Sequence, residues 1–180
     1  VSTLVQPPMT EVLVTLGSNV GNRIENLRVA VEGLSVVLSN QAVSAVYTTE
    51  PIGIHDQPSF LNAALRGSTS LGFDRLFFWV KTLEFAAGRR PGLAQGPRTL
   101  DIDIISYGDL LVTTPRLNIP HSAYAKRAFV LAPLADIAPN AILPNQTKSI
   151  GQLDAHVGRA GVKYAYPSSS ISNTTSIENV

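Results

Sequence analysis

Gly96-Pro97-Arg98-Thr99-Leu100-Asp101-Ile102-Asp103-Ile104-Ile105 reads as a tight turn running into a strand. Leu100, Ile102 and Ile104 alternate with Thr99, Asp101 and Asp103. That period of two puts the apolar side chains on one face and both carboxylates on the other. Residues two apart on a strand are roughly 7 Å apart. Two bare carboxylates at that distance repel by about 2 kcal/mol at an effective dielectric of about 20. A fold that holds them side by side needs cations there, either arginines or a metal. The chain has no cysteine, and hard oxygen ligands suit Mg²⁺. A two-metal clamp, with ions about 3.5–4 Å apart, fits between such carboxylates and serves phosphoryl or nucleotidyl transfer. Arg98, just before the strand, adds a fork for a phosphate. The plain alternative is a solvated Asp-x-Asp on an exposed strand face. Asp is disfavoured in strands, so two of them directly after Gly-Pro-Arg point to a site.

This strand closes a series of elements. Residues 12–16 read as a strand ended by Gly17-Ser18-Asn19. A helix follows over about 22–38, with Ile24, Leu27, Val31, Leu34 and Leu38 at helical spacing. Asn19 or Asn22 is its N-cap. The joining segment Gly17-Ser18-Asn19-Val20-Gly21-Asn22-Arg23 lacks the Gly-Lys-Ser/Thr ending of a phosphate loop and the spacing of a dinucleotide fingerprint. It reads as a structural turn and cap. Residues 42–48 form a second strand, and 50–58 a loop with two prolines and one His. Residues 60–66 form a third strand in which Phe60 and Asn62 share a face, an aromatic plate beside an amide that donates and accepts. That pair suits a flat heterocycle with hydrogen-bonding edges, or else a core Phe beside a satisfied Asn. A second helix runs over about 74–87, capped by Asp74 and closed by Gly88, with Leu76, Phe77, Val80, Leu83 and Ala87 as its stripe. Glu84 near its end faces solvent or braces an arginine. Residues 89–97, rich in Arg, Gly and Pro, make a candidate mobile lid.

The order β-α-β-β-α-β is that of a ferredoxin-like α+β sandwich, with two helices on one face of an antiparallel sheet. Beyond it, 110–112 is a short strand, 116–120 is extended, 123–128 is a short helix and 129–135 is strongly apolar. These long loops and the C-terminal addition are expected to cover the functional side. Residues 1–10 read as a flexible leader, 11–160 as the domain, and 167–180, rich in Ser, Thr and Asn, as a flexible tail.

At 180 residues and 44% hydrophobic, the chain is one domain with a core large enough to need no staples. A net charge of +1 speaks against nucleic acid or a membrane surface as partner. The local balance differs. Between 89 and 127, Arg89, Arg90, Arg98, Arg116, Lys126 and Arg127 face only Asp101, Asp103 and Asp109, which suits an anionic ligand carrying metal. Without a secretory signal or a long apolar run, the expected compartment is the cytoplasm.

Several stretches together are highly specific. They are Leu-Gly-Ser-Asn-Val-Gly-Asn-Arg at 16–23, Tyr-Thr-Thr-Glu-Pro-Ile-Gly at 47–53 and Gln-Pro-Ser-Phe-Leu-Asn-Ala-Ala at 57–64. Then come Glu84, the stretch at 96–105, Arg-Leu-Asn-Ile-Pro-His at 116–121, and Arg127-Ala128-Phe129. In this order and spacing the chain resembles the 6-hydroxymethyl-7,8-dihydropterin pyrophosphokinases of folate biosynthesis, over about residues 11–140. The resemblance implies transfer of the terminal diphosphate of ATP to the hydroxymethyl group of the reduced pterin, releasing AMP. It implies two Mg²⁺ ions on Asp101 and Asp103. Phe60, Asn62 and Phe129 would hold the pterin, with Thr49 and Ile52 reading its edge through the backbone and Arg127 bordering the pocket. Arg89 and Arg98 would act at the phosphates, and Glu84, Arg116 and His121 on the nucleotide side. Fusion or association with a neighbouring folate-pathway enzyme also follows from the resemblance.

The chain departs from the family pattern in its loop. Ala94 and Gln95 stand where a basic residue and a Trp usually precede Gly-Pro-Arg, Pro91 replaces an arginine, and Ser122 replaces a common aromatic. These departures imply a looser lid and a slower enzyme. The rival reading is a catalytically weakened pterin- or nucleotide-binding module on the same fold. Another is a metal-dependent phosphotransferase that yields ADP or phosphate.

Overall fold

The computed structural model describes residues 8–50, 58–89, 97–115 and 117–172. In chain order these form β1 (Thr10–Ser18), α1 (Arg23–Ser35), β2 (Ser39–Val43), β3 (Val46–Thr49), β4 (Phe60–Thr69) and α2 (Phe73–Ala86). Then follow β5 (Asp101–Tyr107), β6 (Val112–Thr113), β7 (Asn118–Ile119), α3 (Ala128–Ile137), α4 (Ile150–Val157) and β8 (Val162–Tyr166). The main sheet has the order β5-β1-β4-β3-β8, with β2 also pairing β4, and its strands run antiparallel. The first four of that order are the expected ferredoxin-like arrangement, and β8 extends it at the edge.

Strand alternation divides the residues between two cores. Val12, Val14 and Leu16 of β1, Leu61, Ala63 and Leu65 of β4, and Ile102 and Ile104 of β5 pack under α1 and α2. On the opposite face Leu13, Ala64 and Ile105 meet Val130, Leu131 and Leu134 of α3 and Ile150 and Leu153 of α4. The register of β5 on β1 shifts between Leu13 and Val14, a bulge that accommodates Ile105 in the second core. Helices α3 and α4 cover only part of this second face. Beyond Leu13, Ala64 and Ile105 the same rows continue as Thr15 and Gly17, Asn62 and Phe60, and Asp103 and Asp101. The open end of one sheet face is therefore polar, and the candidate site lies there.

Several boundaries differ from the sequence reading. The strand expected over 42–48 is two strands, because Ser44 is buried and its hydroxyl takes part in the pairing. Ser44 Oγ accepts from Ala64 N at 2.8 Å and donates to the Ala45 carbonyl at 2.7 Å. Gly17 and Ser18 belong to β1 rather than to a turn. Asn22, not Asn19, caps α1, accepting from Glu25 N at 3.3 Å. Helix α2 begins at Phe73 with Gly72 before it, so Asp74 lies in its first turn instead of capping it. The helix expected over 123–128 is a single 3₁₀ turn, Tyr124–Lys126, and the apolar run after it is helical as α3.

The ends of the unit also differ. A domain ending at 160 is too short, since β8 pairs β3 from Val162 to Tyr166. Thr10 already lies in β1, and of the rest of the expected leader residues 1–7 fall outside the described residues. The first part of the expected flexible tail is not loose. Pro167–Ser172 carries a 3₁₀ turn, and Ile171, 1% exposed, is buried in the first core. Burial of a side chain of this size contributes about 1.5–3 kcal/mol, alongside the segment's own hydrogen bonds to the Pro167 and Ser168 carbonyls. Residues 173–180 lie outside the described residues.

Candidate active site

The pleat of three adjacent strands builds the floor. Gly17 of β1 lies opposite Asn62 of β4 on one side and Asp101 of β5 on the other. Thr15, two residues back, lies opposite Asp103. Above them is a cavity of about 260 Å³, lined also by Thr49, Phe60, Arg98, Arg127, Phe129 and Val130. Phe60 and Asn62 project from the sheet, and Phe129 comes from the first turn of α3 across the gap. The side amide of Asn62 is buried and donates through Nδ2 to Thr49 Oγ1 at 2.8 Å. One donor is thereby committed, and its carbonyl and second N–H remain for a ligand edge. The Arg127 guanidinium lies 5.8 Å from the centre of the Phe129 ring, a cation–π distance.

The two aspartates are not equivalent. Asp101 is clamped between two guanidiniums, with Arg89 Nη1 at 2.7 Å from Oδ1 and Arg98 paired to Oδ2. Among the described residues the Asp103 carboxylate has no hydrogen bond and no ion pair. Burial and, next, the charge of Asp101 push its carboxyl above the usual range, against a weaker pull from His121, Lys81 and Arg98. The expectation that paired acids need cations is thus met by arginines at one carboxylate. At the other, an unpartnered oxygen pair faces the cavity. That is a fit for Mg²⁺, whose hard oxygen shell such a carboxylate begins to supply. No group of three or more His, Cys, Asp or Glu side chains able to hold a metal exists among the described residues. The remaining ligands would be water and phosphate oxygens, the usual arrangement for Mg²⁺ with a nucleotide.

Glu84 lies behind the floor, 2% exposed at the end of α2. It pairs with Arg89, accepts from Lys81 Nζ at 2.9 Å and from the Ile102 amide at 2.8 Å. It therefore braces an arginine, as one of its two sequence readings had it, and holds the start of β5. Glu84, Arg89 and His121 do not line the cavity. His121 is tied to β5 through its amide, which donates to the Ile105 carbonyl at 2.9 Å. Ile52 and Arg116, and the departures at Pro91, Ala94 and Gln95, lie outside the described residues.

Sequence reasoning missed Thr15, Gly17, Glu50 and Val130 among the lining residues. It also missed a clamp beneath them. Asn19, 1% exposed, accepts from Arg98 N at 2.8 Å and donates through Nδ2 to the Pro58 carbonyl at 3.2 Å. Ser18 Oγ and Asn26 Nδ2 both donate to the Thr99 carbonyl, at 2.6 and 2.9 Å. Arg23 Nη1 reaches the Ser59 carbonyl at 2.7 Å. The Gly17–Arg23 segment is thus a structural clamp, as its lack of a phosphate-loop ending suggested, and it fixes both β5 and β4 where they enter the site. The signal in sequence was Gly17 itself, two residues from Thr15 on a strand.

The family model described as 7,8-dihydro-6-hydroxymethylpterin-pyrophosphokinase (HPPK) matches residues 13–139. The chain belongs to the HPPK family. Among its relatives is the 2-amino-4-hydroxy-6-hydroxymethyldihydropteridine pyrophosphokinase of Aquifex aeolicus, 39% identical over 142 residues, which are 79% of this chain and 89% of that one. The corresponding enzyme of Methylorubrum extorquens is 39% identical over 81% of this chain and 95% of its own length. The mitochondrial folate synthesis bifunctional protein of Arabidopsis thaliana is 43% identical over 77% of this chain, but over only 25% of its own length. The chain therefore spans between a quarter and a third of the bifunctional plant relatives it matches. Among solved structures, a Plasmodium falciparum HPPK-DHPS triple mutant superposes with a TM-score of 0.71 over 87% of this chain and 47% of that one. At 13% identity, that likeness speaks for the fold alone. It bears out the ferredoxin-like α+β reading. Among the described residues no helix is long and apolar enough to cross a membrane.

Proposed function

We propose that this HPPK-family chain transfers the terminal diphosphate of ATP to the hydroxymethyl group of 6-hydroxymethyl-7,8-dihydropterin. The pterin oxygen bonds to the β-phosphorus, the bond from that phosphorus to the α-β bridging oxygen breaks, AMP leaves, and the hydroxyl proton passes to solvent. The observation that carries the reading is the pairing of an unpartnered Asp103 with an aromatic-and-amide slot in one cavity. Relatives of similar length named for this activity support it.

The pterin ring would lie between Phe60 and Phe129, its hydrogen-bonding edge read by Asn62 and by the backbone near Thr49 and Ile52. Arg127, at the rim, borders the slot. Arg98 lines the cavity and, with Arg89, holds Asp101. In this reading both guanidiniums would also act at the phosphates, Arg98 from the cavity wall and Arg89 from behind it, while Arg116 and His121 would serve the nucleotide side. Glu84 acts on that side through Arg89, whose position it fixes. Two Mg²⁺ ions on Asp101 and Asp103, when bound, would neutralise phosphate charge and align the displacement. Transfer of this kind rests on positioning and charge stabilisation more than on proton transfer by a side chain. We place the reaction in the cytoplasm, and an organelle matrix suits the same chemistry, as two relatives named mitochondrial illustrate. Linkage to a neighbouring folate-pathway enzyme, as in the bifunctional relatives, is part of the same proposal.

Incubation with ATP, Mg²⁺ and the reduced pterin tests it. AMP and the pterin diphosphate are the expected products, and Asp101→Ala should abolish both. Release of ADP or phosphate would instead identify another phosphotransferase, and absence of any product would leave only a binding module.

A further inference from the structure

On the far side of the pocket wall lies a polar cluster that the chemistry above does not use. Tyr47 of β3 is buried, and its hydroxyl sits 3.0 and 2.9 Å from the two carboxylate oxygens of Asp136 in the last turn of α3. The single O–H is shared between them. Asp136 Oδ2 also accepts from Ala45 N at 3.2 Å. The Arg159 guanidinium stands 5.6 Å from the Tyr47 ring centre and donates to its hydroxyl at 3.4 Å, while Asp154 of α4 holds that guanidinium at 2.8 Å. Tyr164 of β8 meets the ring edge-on, with centres 6.4 Å apart. One phenol thus ties β3, β8, α3 and the end of α4 together.

We infer that Tyr47 and Asp136 are a positioning pair that sets the rotation of α3 against the sheet, and thereby the alignment of Phe129 and Arg127 over Phe60 and Asn62. Two features of the fold make the connection. Phe129 and Asp136 are seven residues apart on α3, two turns and one face of the helix, about 10 Å along its axis. Pro133 lies between them and removes the one amide that would bond the Phe129 carbonyl. The hydrogen bond at one end and the pocket wall at the other are therefore coupled through the packed side chains of Val130, Leu131 and Leu134 as well as through the helix. At the sheet side, Tyr47 lies directly opposite Asn62 in the β3–β4 register, and Thr49, two residues on, accepts the Asn62 amide. Both walls of the slot are thus referred to the same phenol. The apolar contacts of Val130, Leu131 and Leu134 with Leu13, Ala64 and Ile105 hold α3 down, but apolar burial is non-directional and tolerates roll. A hydrogen bond to a carboxylate does not.

The inference rests on the pterin slot proposed above, and it is tested with Tyr47→Phe, which keeps the ring and removes the hydroxyl, and with Asp136→Asn. The expected result for Tyr47→Phe is a pterin KM raised about tenfold, with kcat and the ATP KM within about twofold of wild type. In the double variant the two effects should fail to add, because the residues act as one pair. Amide exchange over residues 128–131 of the unliganded protein should also quicken about tenfold. A pterin KM left unchanged while the melting temperature drops would overturn the inference, as would equal rises in both KM values. If the wild-type protein binds no pterin, the functional reading has failed. The exchange measurement then decides alone, and unaltered exchange over 128–131 refutes the pair's role.

Discussion

Replacing Gly17 by alanine should move stability and substrate affinity in opposite directions. A Cβ built at Gly17 would lie 3.5 Å from Asn62 Oδ1, 3.9 Å from the Asp101 Cβ and 3.9 Å from Phe60 Cδ1. Those are ordinary van der Waals distances, so the protein itself has room for the methyl. Gly17 is also absent from the glycines with positive φ, and an L residue fits its backbone. Removing glycine's conformational freedom from the unfolded chain stabilises by about 0.4–1 kcal/mol at such positions. For a protein of this size that is a melting temperature higher by about 1–4 °C. The three neighbours of that methyl, however, are the amide, the ring and the carboxylate that face the cavity. On the proposed function it would stand between the pterin slot and the acid pair, where the reacting hydroxymethyl group would come. An added methyl in a filled slot costs about 1–3 kcal/mol, which is about 5–150-fold in affinity. Scanning fluorimetry without ligand and steady-state kinetics on the reduced pterin read the two effects separately. A pterin KM equal to wild type would show that the floor at Gly17 is not where the substrate lies. A lower melting temperature accompanying a higher KM would trace the defect to the fold instead.

Two further outcomes bear on the acid pair and on the C-terminal segment. Because the folded state holds the Asp103 carboxyl above its ordinary pKa, its contribution to stability is present below about pH 4 and is lost as pH rises through the raised value. Asp103→Asn should therefore raise the melting temperature at neutral pH in chelator, show no gain near pH 3.5, and abolish the stabilisation that Mg²⁺ and a nucleotide analogue give wild type. A destabilised variant at neutral pH in chelator would refute the assignment of Asp103 as an uncompensated charge. Ile171→Ala should cost about 2–5 kcal/mol, lowering the melting temperature by at least about 4 °C, whereas an unchanged value would mean that the segment after β8 contributes nothing to the core.

What the sequence made legible was whatever a short-range period can carry. The alternation through Leu100–Ile104 showed that both acids share one face of β5, and the shared parity of Phe60 and Asn62 put ring and amide together on one face of β4, but only the register across β1 sets those two faces side by side. Gly17 escaped because glycine marks turns and also open floors within strands, and only its opposite neighbours, Asn62 and Asp101, distinguish the two. Glu84 could be placed on α2 but not assigned, since its partners come from positions 81, 89 and 102. Ile171 looked like a stray apolar residue in a polar run, because its contacts belong to a core built by distant strands and helices.

The least legible fact is the difference between Asp101 and Asp103. In sequence they are two identical acids at equal rank. In the fold, Arg98 is three residues from Asp101 and Arg89 reaches it from the end of α2, so one carboxylate is neutralised while the other is left with the cost of both burial and its neighbour's charge. If both acids were matched by arginines, the protein would be a closed salt-bridge network with no reason to take up a cation. If neither were, the pair would repel and loosen the end of β5. Half-neutralisation keeps the strand in register and leaves one oxygen pair that, on the proposed function, a cation arriving with the phosphates would take up. The chemical role of the pair therefore follows from which acid the arginines do not reach.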